Sequence, residues 1–296
     1  MNASKWREPV VDPYSISFKN NLKLESIEGY PHAGNDVFKC RGTYKDKEVY
    51  FYLKIARHLD ANLENELKAL EIFSNLSIPV PEVIAYDLDI KYPYIATKLI
   101  DGERLSKILS KYKGDEIKKN SLIYMEQFGA VLAKIHSARL TWKEVKTRRF
   151  HKNIDTSMLT DKVSLDVSKW LEENKPSKKD KVFVHGDYHY ANLLWSDNKI
   201  AAVLDWELCG IGWKEFDIAW AIILRPSQKF LKTELEEQRF LDGYSKHCSF
   251  DNVSFDWCKV LIYLHFYIIG KKLKDNDYII YVIKKMLSVI NKYKKS

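Results

Sequence analysis

Apolar and polar residues alternate with a period of two over residues 22–28, and this run predicts a strand, as do the apolar-rich runs at 37–41 and 48–56, each bounded by turn residues. Between the first two lies a turn-rich loop, Gly29-Tyr30-Pro31-His32-Ala33-Gly34-Asn35, and Tyr44-Lys45-Asp46-Lys47 predicts a hairpin turn into the third. The period then changes. Leu67, Leu70, Ile72, Phe73 and Leu76 recur at helical spacing over 62–76, and Pro79 and Pro81 end that helix. Residues 83–86 and 92–100 read as two further strands, which makes five in all, and Asp101-Gly102 marks a hinge turn. Beyond it the pattern is mostly helical. A polar, lysine-rich loop at 110–120 precedes a strongly amphipathic helix over 122–140, and a further helix falls at 161–174. Short β-branched runs at 182–184 and 200–204 read as buried strands, 209–213 as a flexible turn, and 229–246, 253–272 and 277–293 as three closing helices.

The two short apolar runs frame a dense polar cluster: His185, Gly186, Asp187, His189, Asn192 and Asp205. H-G-D-x-x-x-x-N has the spacing of the kinase catalytic loop, where the Asp accepts the proton of the attacking hydroxyl and the Asn holds Mg²⁺. Asp205, after the next strand, corresponds to the second metal-binding Asp of kinases. The chemistry explains the residue types. Phosphates concentrate negative charge, so a divalent cation must be fixed by hard oxygen ligands. One further carboxylate must stay off the metal and face the nucleophile. Lys54, inside the third strand, stands where kinases carry the lysine that grips the α- and β-phosphates. Its partner is expected on the following helix, where Glu64, Glu66 and Glu71 are available. The loop bearing Gly34 and Asn35 lies between strands, as does the kinase lid over ATP phosphates, although it lacks G-x-G-x-x-G.

The stretch HGDYHYANLLW, the strand-borne Asp205-Trp206-Glu207 and the later Phe216-Asp217-Ile218-Ala219-Trp220 resemble the aminoglycoside phosphotransferase and choline kinase superfamily. The resemblance implies an α+β, bilobal, protein-kinase-like fold. Residues 1–101 would form a small nucleotide-binding lobe, a five-stranded antiparallel sheet plus one helix. Residues 102–296 would form a larger, mostly helical catalytic and substrate-binding lobe. Among the acidic candidates, Glu66 matches the family's helix glutamate, which precedes a segment like Ile78-Pro79-Val80-Pro81. The resemblance also implies that backbone groups near Lys98 and Ile100 bind adenine and that Asp217 supports the catalytic loop. His185 and His189 would stiffen that loop, with His189 and Glu207 also able to face substrate. His136, in an L-x-x-L-H helix, reads as structural. The implied activity is transfer of the γ-phosphoryl group of ATP or GTP, with Mg²⁺, to a hydroxyl of a small molecule.

For that acceptor the first expectation is an aminoglycoside-type antibiotic, which would make the enzyme a resistance determinant. The alternatives are a metabolic kinase acting on choline, homoserine or a sugar-like alcohol, and an inactive kinase fold serving as an interaction module. Glu207, Glu234, Glu236, Glu237, Asp242 and Asp251 could line an acidic pocket for a cationic drug, but acidic helix residues usually face solvent. The lysine-rich end, Asn291 to Ser296, would repel such a drug. Trp257, Tyr263, Phe266 and Tyr267 could cage a quaternary ammonium, yet at helical spacing they read as a packed core stripe.

Composition narrows the class further. With 46% hydrophobic and 30% charged residues over 296 positions, the chain can bury a sizeable core. The richest apolar run, 260–270, carries His265 and is too short to span a bilayer, so no membrane association is expected. The start lacks the apolar core of a signal peptide, and Cys40, Cys209, Cys248 and Cys258 form no C-x-x-C pair; a cytoplasmic protein with free thiols is expected. The net charge of +8 is spread over the chain without a nucleic-acid reader motif, so no nucleic acid is expected as a partner. A monomer or weak dimer is expected.

Overall fold

The computed structural model describes residues 8–31, 34–57, 61–145, 156–177, 181–223 and 233–293. The chain folds as two compact units, the first comprising Met1–Arg104 with Asn192–Cys209 and the second Leu105–Ala191 with Gly210–Ser296. This differs from a single boundary at 101/102. The segment after Ala191 joins the first unit for a packing reason: Glu103 and Trp195 exchange backbone hydrogen bonds at 2.9 Å, and Val203 N–H donates to Pro79 O at 2.8 Å.

In the first unit, strands β1 (Leu22–Gly29), β2 (Asp36–Tyr44), β3 (Lys47–Ile55), β4 (Val83–Asp87) and β5 (Tyr94–Lys98) form one sheet in the order β1-β2-β3-β5-β4. All its pairings are antiparallel. The β2–β3 hairpin turns at Lys45 and Asp46, both with positive φ, the backbone that a two-residue turn between right-twisted strands requires. Side chains alternate across β3. Phe51, Leu53 and Ile55 are fully buried in a core with Phe38, Cys40, Tyr94 and Ala96, while Tyr52 and Lys54 point to the other face. At roughly 1.5–3 kcal/mol for each large apolar side chain buried, that core fixes the strand's register and hence the face on which Lys54 emerges. Helix α1 (Leu63–Phe73) follows, ending before Pro79 through a short turn in which Ser77 is left-handed. Strands β6 (Lys181–Val184), β7 (Leu193–Ser196), β8 (Lys199–Val203) and β9 (Gly210–Trp213) make two separate ribbons. The β7–β8 hairpin belongs to the first unit, and β6 pairs with β9 in the second. The expected flexible turn at 209–213 is thus largely a strand, because β6 offers it a complete antiparallel partner.

The second unit contains, among the described residues, helices α2 (Leu105–Leu109), α3 (Asp115–His136), α4 (Lys162–Glu173), α5 (Lys214–Ile222), α6 (Glu234–Ser245), α7 (Asn252–Leu273) and α8 (Asn276–Tyr293). The loop expected at 110–120 is half helical: α3 begins at Asp115, and Asp115 and Glu116 suit its first turn. Helices α3 and α6 cross closely. A Cβ on Gly129 would lie 1.9 Å from Phe240 O, and one on Gly243 equally near Glu126 O, so only glycines permit this approach. Helix α7 is long and apolar enough to cross a membrane, but 83% of its most apolar window is buried within the protein, as in a core helix. Trp257, Tyr263, Phe266 and Tyr267 lie on it and are all buried, which makes them a core stripe rather than an open cage. Of the acidic residues considered for a drug pocket, Glu236 closes a capping box with Thr233, Glu237 pairs with Lys259, Asp242 accepts from Gln238, and Asp251 caps α7. The expected helical start at 229–232 and the lysine tail from 294 lie outside the described residues, as do His32 and Ala33 of the lid loop.

Candidate active site

Lys54 is the electrostatic centre of the first unit. Its ammonium lies 2.5 Å from Glu66 Oε2, 3.0 Å from Asp205 Oδ1 and 2.5 Å from Glu207 Oε1. The helix register thus selects Glu66 as partner, and Glu66 is buried on α1. Burial opposes the charge on Lys54, but the three carboxylates outweigh it and hold the ammonium protonated far above the usual lysine range. Burial likewise pushes the Glu66 carboxyl upward against the attraction of Lys54, and Asp205 and Glu207 push it further.

Asp205 reaches this point through a strained backbone. It sits in the left-handed region, φ 64°, where β8 turns into a single 3₁₀ turn, Trp206–Leu208. Sequence reasoning passed over the residues that hold this turn. Trp206 stacks on Phe73 of α1, ring centres 4.6 Å apart, and its indole donates to Val203 O at 3.0 Å. Asn65, next to Glu66, donates to the carbonyls of Cys209 at 2.8 Å and Glu207 at 3.1 Å. One turn of α1 therefore positions both the carboxylate that braces Lys54 and the loop that brings the other two. No sequence pattern marks Asn65, and Trp206 stood out only as the neighbour of Asp205, with no stacking role attached to it.

A cavity of about 170 Å³ opens beside this cluster, lined by Lys54, Glu66, Thr97, Lys98, Ile100, Asn192 and Asp205. A larger one, about 1010 Å³, lies elsewhere in the same unit and contains none of the three carboxylates that hold Lys54. The smaller cavity is the relevant one because the charged groups converge there. The Lys98 N–H is donated to Glu82 O and the Leu99 N–H to Tyr50 O, at 2.9 Å each, and Lys98 and Ile100 both line the cavity. Gly34 and Asn35 are not among the residues lining this cavity. Asn35 is buried, with its amide donating to Glu207 Oε1 at 2.5 Å and its carbonyl accepting from Arg57 N–H at 3.1 Å; it acts as a strut for Glu207.

The donor set suits a divalent cation. Glu66, Asp205 and Glu207 place ligand oxygens within 4.8 Å of one another, three carboxylates against one lysine, and Asn192 lines the cavity beside them. Hard oxygens with surplus negative charge fit Mg²⁺.

In the second unit the loop that starts at His185 is held from beneath by α5. Asp217 Oδ2 accepts from His185 N–H at 2.9 Å and Oδ1 from Gly186 N–H at 3.1 Å. His136 Nε2 lies 3.2 Å from the same carboxylate, and its Nδ1 lies 2.8 Å from the Tyr244 hydroxyl. Asp217 therefore supports the loop backbone, and His136 is a buried structural link. His185 is fully buried and its Nδ1 accepts from Asp187 N–H at 3.2 Å; His189 Nδ1 accepts from Ala191 N–H at the same distance. Both histidines stiffen the loop that carries Asp187. Its Oδ1 accepts the indole N–H of Trp220 at 2.8 Å, a contact that sequence reading did not anticipate.

A five-stranded sheet that carries a braced lysine, and an H-G-D loop seated on a buried helix, define a protein-kinase-like phosphotransferase. The model of the phosphotransferase enzyme family (APH) matches residues 27–249, and the chain belongs to that family of small-molecule kinases. Among curated proteins, the mouse acyl-CoA dehydrogenase family member 10 is 27% identical over 181 residues, which cover 54% of this chain and only 16% of that protein. Solved structures share the fold at low identity. A thermostable mutant of APH(4)-Ia, solved with AMP-PNP and hygromycin B, gives a TM-score of 0.61 at 16% identity, covering 93% of this chain and 94% of that one. The spectinomycin phosphotransferase APH(9)-Ia, with ADP and spectinomycin, gives 0.60 at 14%, covering 90% and 92%. The macrolide 2′-phosphotransferase MphH of Brachybacterium faecium gives 0.57 at 16%, covering 90% and 94%.

Proposed function

We propose that the enzyme transfers the γ-phosphoryl group of ATP or GTP to a hydroxyl of a small molecule, with aminoglycoside-type antibiotics the first acceptors to test. The observation that carries this reading is Lys54, fixed between Glu66 and Asp205 on the wall of the cavity. Lys54 grips the α- and β-phosphates, while the Lys98 carbonyl and Ile100 backbone take the purine edge. Asn192 and Asp205 are the residues that would hold Mg²⁺, with Glu207 beside them; when bound, the ion neutralises charge on the phosphates. Asp187 orients the acceptor hydroxyl and takes its proton, and Asp217 keeps the loop backbone in place while it does so.

Two further expectations belong to this reading. Cys40, Cys209, Cys248 and Cys258 are all free thiols, which supports a reducing, cytoplasmic location. The solved structures named above, among them a hygromycin B complex and a macrolide 2′-phosphotransferase, support an antibiotic-type hydroxyl as acceptor over choline or homoserine. The test is an ADP-release screen with Mg²⁺ across aminoglycosides, macrolides and small metabolic alcohols. Asp187→Asn should bind nucleotide normally and lose turnover by roughly 10²–10⁴-fold, the usual contribution of a positioned base. Turnover at the unmodified rate would remove Asp187 from its role, and a screen negative for antibiotics but positive for a metabolic alcohol would replace the acceptor class.

A further inference from the structure

Asp217 and Trp220 lie three residues apart on α5, hence on one face of the helix, and both reach the loop that carries Asp187. Asp217 takes the backbone N–H groups of His185 and Gly186, whereas Trp220 reaches the carboxylate itself, its indole N–H 2.8 Å from Asp187 Oδ1. The indole has little freedom to do anything else. It is buried in a row of nearly parallel rings, Phe216 on one side at 6.1 Å and 19°, Phe266 of α7 on the other at 5.9 Å and 20°. His189 Nε2 stands 3.7 Å from the same oxygen, beyond hydrogen-bond reach.

We propose that Trp220 is a positioning residue for phosphoryl transfer: its indole N–H holds Oδ1 of Asp187 and so orients the carboxylate that receives the acceptor hydroxyl and takes its proton. The inference rests on Asp187 being the base. An indole suits this task because it is a rigid, uncharged donor. It fixes the plane of the carboxylate without setting a full positive charge beside a group that must accept a proton, as a lysine or arginine would. The ring row supplies the rigidity, since a carboxylate held through one hydrogen bond is only as well placed as its donor.

Two replacements separate the N–H from the ring. Trp220→Phe keeps an aromatic ring in the row, and incorporation of 3-benzothienylalanine at position 220 keeps the full bicycle with sulfur in place of N–H. The probe reaction is ADP release from Mg-ATP with water as acceptor, and with hygromycin B as a second acceptor. Both replacements should lower kcat by roughly tenfold or more, the range for one hydrogen bond to a charged group, with the KM for ATP and the melting temperature unchanged. Combining Trp220→Phe with Asp187→Asn should cost nothing beyond Asp187→Asn alone. Independently of turnover, the indole ¹H–¹⁵N resonance that Trp220→Phe removes, one of eight tryptophans, should shift upfield in Asp187→Asn. An unmoved resonance overturns the proposal. So does a benzothienyl enzyme at the unmodified rate while Asp187→Asn is inactive, and in that case the base assignment stands. If Asp187→Asn itself turns over normally, the base assignment falls and the role of Trp220 falls with it.

Discussion

Replacing Lys54 with Met keeps an unbranched stem of similar length in β3 and removes the ammonium in contact with Glu66, Asp205 and Glu207. What remains is three carboxylates within 4.8 Å of one another. At an effective dielectric of about 20, two like charges about 4 Å apart repel by roughly 4 kcal/mol, so the three cannot all stay ionised. Leaving one partner of a buried pair uncompensated typically costs about 3–5 kcal/mol. With Lys54 and Glu66 both largely buried, solvent screening relieves little of this. For a domain of this size the loss amounts to a fall of roughly 10 °C in melting temperature at neutral pH. The sign with pH follows from Glu66, whose carboxyl is already raised in the folded protein and loses the attraction that opposed the rise. A raised acid binds more protons folded than unfolded, so stability is full below the unfolded pKa and drains away as pH climbs through the folded one. The Lys54→Met enzyme should therefore melt higher at about pH 5.5 than at about pH 8, and millimolar Mg²⁺ should raise its melting temperature more than that of the unsubstituted protein. Calorimetric scans across pH, with and without Mg²⁺, make the measurement, alongside ADP release, which should be nearly abolished. A variant that melts like the parent at every pH, or that turns over ATP normally, refutes the electrostatic reading of this cluster.

Other substitutions probe the supports. Asn65→Ala removes the bonds to the Glu207 and Cys209 carbonyls that hold the metal-side turn to α1; kcat/KM for ATP should fall about tenfold, at roughly 1 kcal/mol per bond, and an unchanged value would show that the Trp206 stack suffices alone. Gly129→Ala forces a Cβ to within 1.9 Å of Phe240 O, so α3 and α6 must separate; the cost should be at least about 1–3 kcal/mol in chemical denaturation, and a neutral result would mean the helices do not cross this closely. Asp161 caps α4 and also accepts from Tyr267 and Lys271; burial alone would raise its carboxyl, but these partners hold it well below the usual carboxylate range. A depressed acid stabilises above its unfolded pKa, and that contribution disappears as pH falls through the folded value. Asp161→Asn keeps the cap, loses the charge, and should lower the melting temperature at neutral pH by no more than about 1 kcal/mol equivalent, since the side chain is 39% exposed, while flattening the acid limb of the melting profile.

The strands and most helices were legible because each needed only a local signal. Alternation in β3 placed Lys54 opposite the core, and the H-G-D spacing with Asn192 and Asp205 required no knowledge of the rest of the chain. What sequence could not supply was every contact that depends on register between distant segments. Glu64, Glu66 and Glu71 are chemically equivalent in the sequence, and it was the family resemblance that singled out Glu66; the structure shows the physical reason, the packing of α1 with Phe73 against Trp206, which turns Glu66 toward Lys54. Asn35 looked like a lid residue because of its neighbour Gly34, yet its side chain is committed to Glu207 and Arg57, 172 and 22 residues away. The strand at Gly210–Trp213 was hidden for a related reason: two glycines in four residues read as a turn until β6 provides the partner. Separation into units was also out of reach, since the return of Asn192–Cys209 to the first unit rests on backbone bonds to Glu103 and Pro79.

Placement of the carboxylates explains why so many acidic groups can coexist in one enzyme. Glu66, Asp205 and Glu207 share one lysine, a cluster of hard oxygens around a single ammonium that suits holding a cation. Asp187 donates its backbone N–H to His185 and accepts a neutral indole N–H on Oδ1. A base that must receive a proton near neutral pH is better served by neutral donors, which orient it, than by a cation, which would weaken it. Under the proposed roles, the lysine-held cluster and Asp187 differ in the charge of the side-chain donor described for each. Exchanging the partners should exchange the behaviour: Trp220→Arg would set a full charge on Asp187, and turnover should then fall further than in Trp220→Phe and recover as pH is raised less steeply than in the parent. Equal loss in the Arg and Phe variants would mean that the neutrality of the indole contributes nothing.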